Sequence, residues 1–354
     1  MKPTLQTVAD AMGVSRSTVS NAYGRPDQLS PDLRQRILET AGKLGYAGPN
    51  PAARSLRRGR AGAIGVLFTA NISHALHDPF SVLLLQGLAH TAERYGVGLL
   101  LLPLSMDPDR AARTVRDAVV DGFCVYCVPD WHRALDTIRS RGLPVVNANE
   151  PPDEGPETMF VGIDERASAY AAAEHLARLG HRRVAVISID LTPEWRTQLV
   201  ALRGPDDVGA HISRERLRGV ADAFAEVGVG WDDLTVINAG ANSRDQGAAA
   251  AAYALDRADR CTAILTYSDV LALGVLDALA VRGLRPGPDV SVTGFDDVPQ
   301  ALTAGLTTIR QPAVEKGERV GELLLDPPAD PADRRVLLPT ELVVRSSTGP
   351  VERN

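Results

Sequence analysis

Arg16, Ser17, Ser20 and Asn21 are related by i, i+1, i+4 and i+5, so on a helix they share one outward polar face while Val19 and Ala22 turn inward. The face is short, polar and cationic. Its residue types match the edges of base pairs: an Arg guanidinium can grip the two acceptors of guanine, and an Asn amide can meet the donor and acceptor of adenine, both in bidentate fashion. The same four residues would also serve as the water-facing side of a surface helical hairpin. The elements that hold them bear on that choice.

Leu5, Val8, Ala9 and Met12 recur at i, i+3, i+4 and i+7, which predicts a first helix with one apolar side. Gly13 can take the left-handed backbone of a helix stop, and Ser15 can cap the helix that follows from about Arg16. Ser30-Pro31 is a further start signal, Leu33, Ile37, Ala41 and Leu44 make an inner stripe, and Gly45 ends it. Three short helices around one small core are therefore expected. Charge is divided in the same sense: residues 1–60 carry a net +6 against −12 for the remainder, so the basic end marks a nucleic-acid partner.

The order Thr4-Leu5, Val8-Ala9, Gly13-Val14-Ser15, Ser17-Thr18-Val19-Ser20, Leu44-Gly45-Tyr46, Pro49-Asn50 and Ala53-Arg54-Ser55-Leu56 closely resembles the headpiece of the lactose/galactose repressor (LacI/GalR) family. The resemblance implies a helix-turn-helix headpiece over 1–48, with Arg16, Ser17 and Asn21 reading bases and Thr4, Ser15, Thr18 and Ser20 on the DNA backbone. Thr7 and Asn21 depart from the family, which usually has an acidic residue and commonly Arg there, and one extra residue separates Tyr46 from Pro49-Asn50. Residues 49–61 read as hinge and linker. Asn50-Pro51 is a cap and first turn, but a helix this short cannot offset its own nucleation cost alone. The resemblance implies that it docks in the minor groove as a pair across a dimer axis, through Ala53 and Leu56, with Leu56 as the wedge.

From Ala63 onward, short apolar runs alternate with helical segments in a chain of 354 residues, which predicts parallel sheets covered on both faces. The expected fold class is α/β: the headpiece plus a two-lobed, periplasmic-binding-protein-like core of doubly wound sheets. The core is expected over 62–346, one lobe from 62–163 with 294–325 and the other from 164–293 with 326–346, and 347–354 as a tail. Gly180-His181-Arg182-Arg183, Arg216 with Gly219, Ser268-Asp269 and Gly294-Phe295-Asp296-Asp297 extend the resemblance into this half. In open sheets ligands bind beyond the carboxyl ends of the strands. Arg216 and Asp296 are expected to reach into the cleft from opposite sides and hold a sugar's hydroxyls, with Phe80 as an apolar face, Ser268 and Asn242 as further contacts, and Asp269 as a helix cap.

The segment Ile189 to Ser213 is a long insert, which reads either as a lid or binding loop or as a surface excursion. Cys124 and Cys127 match C-x-x-C within an apolar run, where i and i+3 face opposite sides of a strand, so a buried pair rather than a redox or metal site is expected. No phosphate-cradling loop, nucleophile elbow or metal constellation is present, and this argues against the alternative of an enzyme acting on a small sugar or nucleoside. No cofactor is expected. The partners expected are double-stranded operator DNA, a small-molecule effector of carbohydrate type and a second copy of the chain in a homodimer. No signal core or membrane span is read, which points to the cytoplasm.

Overall fold

The computed structural model describes residues 3–49, 59–69, 72–105, 107–126, 128, 134–148, 158–192, 194–256 and 260–351. They fall into two units, 1–62 and 63–354. Among the described residues no helix is long and apolar enough to cross a membrane.

The first unit holds α1 (Leu5–Met12), α2 (Arg16–Gly24) and α3 (Pro31–Lys43). Each begins on a hydroxyl cap: Thr4 accepts from the Thr7 N–H, Ser15 from Thr18 and Ser30 from Leu33. Thr7 stands where the family usually has an acidic residue, and it closes the capping box itself, its Oγ1 accepting from the Thr4 N–H at 3.2 Å. Gly13 ends α1 at φ 64°. Val8, Ala9, Val19, Ala22, Ile37 and Ala41 are fully buried between the three helices, and Leu5, Met12, Leu33 and Tyr46 pack around them. This small core fixes the angle between α1 and α2. Arg34 is spent here as well, its Nε donating to the Ala22 carbonyl at 3.3 Å.

The second unit is built on two sheets. The first contains β1 (Ala63–Thr69), β2 (Gly98–Leu104), β3 (Gly122–Tyr126), β4 (Val145–Asn147), β5 (Met159–Ile163) and β12 (Arg335–Leu338), in the order β12-β5-β4-β3-β1-β2 and parallel throughout. The second contains β6 (Val184–Ser188), β7 (Gln198–Leu199), β8 (Thr235–Asn238), β9 (Ala263–Thr266), β10 (Ser291–Asp296), β11 (Thr307–Arg310) and β13 (Glu341–Val343). Its order is β13-β11-β10-β9-β6-β8-β7, parallel except at the two edge pairs. Every residue of β3, β5, β6, β9 and β10 is buried, as strands covered by helices on both faces must be.

Three lobe boundaries differ from the sequence reading. The chain does not return to the first lobe at Gly294: β10 and β11 both belong to the second sheet, and the crossing comes after Arg310, whereupon the helix Ala313–Leu325 packs on the helix Pro79–Tyr95. That contact is close enough that a Cβ on Gly87 would meet the Val314 carbonyl at 1.9 Å. Val336-Leu337-Leu338, expected in the second lobe, pairs with β5 in the first. Finally, the expected tail is part of the second lobe. Ser347 is 1% exposed, its carbonyl accepts from the Val292 N–H at 2.8 Å and its Oγ from the Thr307 N–H at 2.8 Å. Polar residues give no burial signal when hydrogen bonds, not apolar packing, hold them inside.

The insert is folded onto the second sheet. β7 extends its edge antiparallel to β8, Trp231 Nε1 donates to the Leu202 carbonyl at 2.7 Å, and Leu191 and Val208 are buried. Cys124 is fully buried in β3 as expected, and Cys127 lies outside the described residues.

Candidate functional site

On α2, Arg16 and Ser17 are exposed and Ser20 and Asn21 half-buried, and together with Leu5, Gly24 and Arg25 they line one shallow recess. The structure thus brings together the four residues that the helical spacing put on one face. Arg25 was missed, although it follows Asn21 by one helical turn and carries the same charge as Arg16. Asn21 donates one amide hydrogen to Gln28 Oε1 at 3.1 Å, which steadies the side chain and leaves its carbonyl oxygen and second hydrogen. Thr4 and Ser15, read as backbone contacts, use their hydroxyls to cap α1 and α2, and Thr18 Oγ1 lies 2.8 Å from Ser15 Oγ. Ala53 and Leu56 lie outside the described residues, as does the whole stretch 50–58.

In the core, Arg216 sits on the helix His211–Ala225 and is buried. Its Nε meets Glu165 Oε2 at 2.7 Å, a terminal nitrogen donates to the Tyr267 carbonyl at 2.7 Å, and the guanidinium lies 3.6 Å from the centroid of the Phe295 ring. Burial by itself would lower the guanidinium's pKa, but Glu165 and Asp296 outweigh it and the net shift is upward. Asp296, the last residue of β10, is buried and holds a φ of 118°, a region L-residues rarely adopt. It accepts from Gln311 Nε2 at 2.6 Å. Burial pushes its carboxyl well up, the nearby carboxylates of Asp269 and Asp78 add to this, and Arg216 opposes it.

Arg216 and Asp296 therefore do not face each other across the cleft, as the sequence reading had them: both belong to the second lobe. The group that Asp296 feels from the first lobe is Asp78, which caps the helix Pro79–Tyr95 by accepting from the Ser81 N–H and Oγ. Phe80 is correctly placed at the start of that helix but is only 4% exposed, stacked on Tyr126 with Lys316 Nζ 5.7 Å from its ring centroid. It is a packed wall, not an open platform. Asn242 and Ser268 are bonded to each other at 2.5 Å, and Ser268 also caps the helix Asp269–Val281. The sequence reading missed Glu165, Tyr267 and Gln311. Glu165 lies directly after a lobe crossing and 51 residues from Arg216, a separation over which no helical or strand period operates.

Asp269, read as a helix cap, is instead fully buried, accepting from Thr308 Oγ1 at 2.6 Å and from the Val298 N–H at 2.8 Å. A Cβ on Gly294 would stand 2.1 Å from its Oδ1, so glycine is required there to admit it. Burial raises its pKa to about 7. A carboxyl whose folded pKa is raised holds its proton more tightly in the folded state, so its contribution to stability is full below the unfolded value and is lost as pH rises through about 7. His181 and His175, lowered by burial, work in the opposite sense, so the variant difference is the informative quantity. We expect the stability of wild type relative to Asp269→Asn to fall between pH 5 and pH 8, measured by urea unfolding. A difference independent of pH would mean that Asp269 does not titrate there.

Residues 173–348 match the periplasmic binding protein-like domain family. An HTH-type transcriptional regulator of Mycobacterium tuberculosis is 41% identical over 354 residues, covering 99% of this chain and 98% of its own. A crystal structure of a LacI-family transcriptional regulator from Corynebacterium glutamicum superposes with a TM-score of 0.74 at 35% identity, covering 98% of this chain and 99% of that one. A complex of the regulator CelR with cellobiose superposes with a TM-score of 0.66 at 26% identity, with 98% and 99% covered. Relatives at this identity across the whole length are transcriptional regulators rather than enzymes, and together with the helix-turn-helix unit and the two-sheet core they settle the family: the chain is a member of the LacI family of HTH-type transcriptional regulators.

Proposed function

We propose that this regulator is a repressor that binds a palindromic operator as a homodimer in the cytoplasm, with affinity set by a sugar or sugar derivative in the core cleft. The observation that carries the reading is the union, in one chain, of a capped helix presenting Arg16, Ser17, Ser20 and Asn21 with a core cleft lined by buried, hydrogen-bonding charges. The cellobiose bound to CelR supports a carbohydrate for a cleft of this architecture. Arg16, Ser17 and Asn21 read bases, and Thr4, Ser15, Thr18 and Ser20 contact the DNA backbone, Thr4 and Ser15 from the helix N-termini that they cap. In the core, Arg216 and Asp296 are the polar anchors, with Asn242 beside them and Phe80 and Ser268 shaping the walls.

Signal passes through the hinge in this reading. Residues 50–58 are too few to be helical alone, so they draw stability from the twin hinge and from DNA, and a lobe movement that changes the spacing of the two hinges changes operator affinity. Leu56→Ala should weaken operator binding and shrink the effector response, while sparing the salt-sensitive binding to random DNA. Affinities for operator and random duplexes across a salt series, with and without effector, test this. A variant that kept both its operator preference and its full response would show that the signal bypasses Leu56.

A further inference from the structure

β10 ends and is followed by two successive aspartates at positive φ, Asp296 at 118° and Asp297 at 55°. They are the only adjacent non-glycine pair of this kind among the described residues. L-residues rarely hold such a backbone, and it persists only where the surroundings over-determine it. A turn needed merely to leave the strand would carry glycine or asparagine at these positions. The two aspartates differ in what they touch.

Asp297 is gripped on both oxygens. Its Oδ1 accepts from a terminal nitrogen of Arg345 and its Oδ2 from Arg310 Nε, both at 2.7 Å. Arg345 is itself fixed, its other terminal nitrogen donating to the Leu306 carbonyl at 2.7 Å and its backbone N–H to Thr307 Oγ1 at 2.9 Å. The Arg345 and Asp297 side chains are 13% and 9% exposed, whereas Arg310 is half exposed and shared with Glu341, so Arg345 is the firmer hold. One residue on, the Val298 N–H donates to the buried Asp269. Asp296 takes no part in this grip. Its carboxyl accepts from Gln311 and lies near Arg216 of its own lobe and Asp78 of the other. The backbone bond that would fix residue 296 directly, from the Gln311 N–H to its carbonyl, is long at 3.4 Å, so the restraint falls on the side chain of its neighbour.

Resting on the reading of Asp296 as a polar anchor of the cleft, we propose that Asp297 and Arg345 are positioning residues: their buried ion pair holds residue 296 in a backbone conformation it would otherwise leave, and so keeps its carboxyl between Arg216 and the facing lobe. The pair acts through Asp296 and not by contact with the effector. The strain at 296 is the cost of placing a carboxyl where glycine would fit more easily.

The test needs no ligand. Glycine and alanine at 296 both lack the carboxyl, so the difference between them isolates the backbone: glycine is the more stable at positive φ, and alanine at negative φ because it restricts the unfolded chain. Asp296→Gly and Asp296→Ala are compared in the full chain with Asp297 present and in the Asp297→Gly background, which removes the grip and forbids neither conformation. Urea unfolding is followed by indole emission, since all three tryptophans follow residue 62. With Asp297 present, glycine should be favoured over alanine by about fivefold to thirtyfold in the equilibrium constant of unfolding. Without it, alanine should be favoured by about twofold to fivefold. Arg345→Met, which leaves residue 297 intact, should move the preference in the same direction. A preference for glycine that is equal in all three backgrounds would overturn the proposal and make the pair a plain support of the lobe.

A thermal-shift panel of neutral mono- and disaccharides, cellobiose included, separates this from the reading on which it rests. For the compound that raises the melting temperature of wild type, Asp296→Ala and Asp297→Gly should each lose about tenfold or more in calorimetric affinity, and the two combined no more than Asp296→Ala alone. If Asp297→Gly binds as wild type does while Asp296→Ala does not, the positioning role fails. If Asp296→Ala binds as wild type does, Asp296 is no anchor and the role assigned to its neighbours fails with it. If no compound binds wild type, that counts against the carbohydrate reading alone, and the unfolding order still decides whether the pair holds residue 296.

Discussion

Arg216→Ala should cost the core about 3–5 kcal/mol of unfolding free energy, because it leaves the buried Glu165 carboxylate without its partner at 2.7 Å. It should also abolish the effector response, since the guanidinium packs on Phe295 and Tyr267 beside Asp296 and holds that end of the cleft in shape. The two losses have different origins and can be separated. In the double variant Arg216→Met, Glu165→Leu the uncompensated charge is gone, so stability should return toward wild type or exceed it. The effector response should stay lost. Urea unfolding gives the first quantity, and effector titration on a labelled operator the second. A double variant that responds to effector with an unchanged midpoint would assign Arg216 a purely structural role.

Arg16→Ala and Asn21→Ala should each weaken binding to the preferred operator by roughly 1–3 kcal/mol and relax the choice of base at one position per half-site. The exposed Arg36, on α3 and away from the recess that holds Arg16 and Asn21, should at most lower affinity equally on every sequence and flatten the salt dependence. Binding of each variant to a set of single-base operator variants separates the two behaviours. Uniform loss across that set for Asn21→Ala would make it a phosphate contact. The bond from Asn21 to Gln28 adds a finer expectation: Gln28→Ala should weaken the same base preference modestly, by freeing the amide to rotate.

Much of this was legible in the sequence because it rests on local rules. Caps at Thr4, Ser15 and Ser30 and the stripe Leu5, Val8, Ala9, Met12 obey helical spacing, so the headpiece and its outward face could be read directly. The core strands were likewise visible as apolar runs. What a run cannot say is which sheet it joins: Val336–Leu338 is equally apolar in either lobe, and only its pairing with β5 decides. The charged residues Arg216 and Asp296 of the candidate site could be singled out from the sequence, but not their arrangement. Arg216 and Asp296 stood out by type, yet their shared lobe and the intervening Glu165 depend on contacts between elements far apart in the chain. Phe80 looked like a platform at a helix start and proved to be stacked on Tyr126, which no spacing announces.

The central claim is that occupancy of the core cleft and operator binding are linked in one molecule, and linkage is reciprocal. The direct measurement is fluorescence anisotropy of a palindromic duplex selected from a random pool, titrated with the full chain with and without saturating effector, alongside effector calorimetry with and without that duplex. The account predicts that effector changes operator affinity by about fivefold or more, and that operator changes effector affinity by the same factor. Superimposable operator titrations, with effector binding established in the same sample, would contradict it.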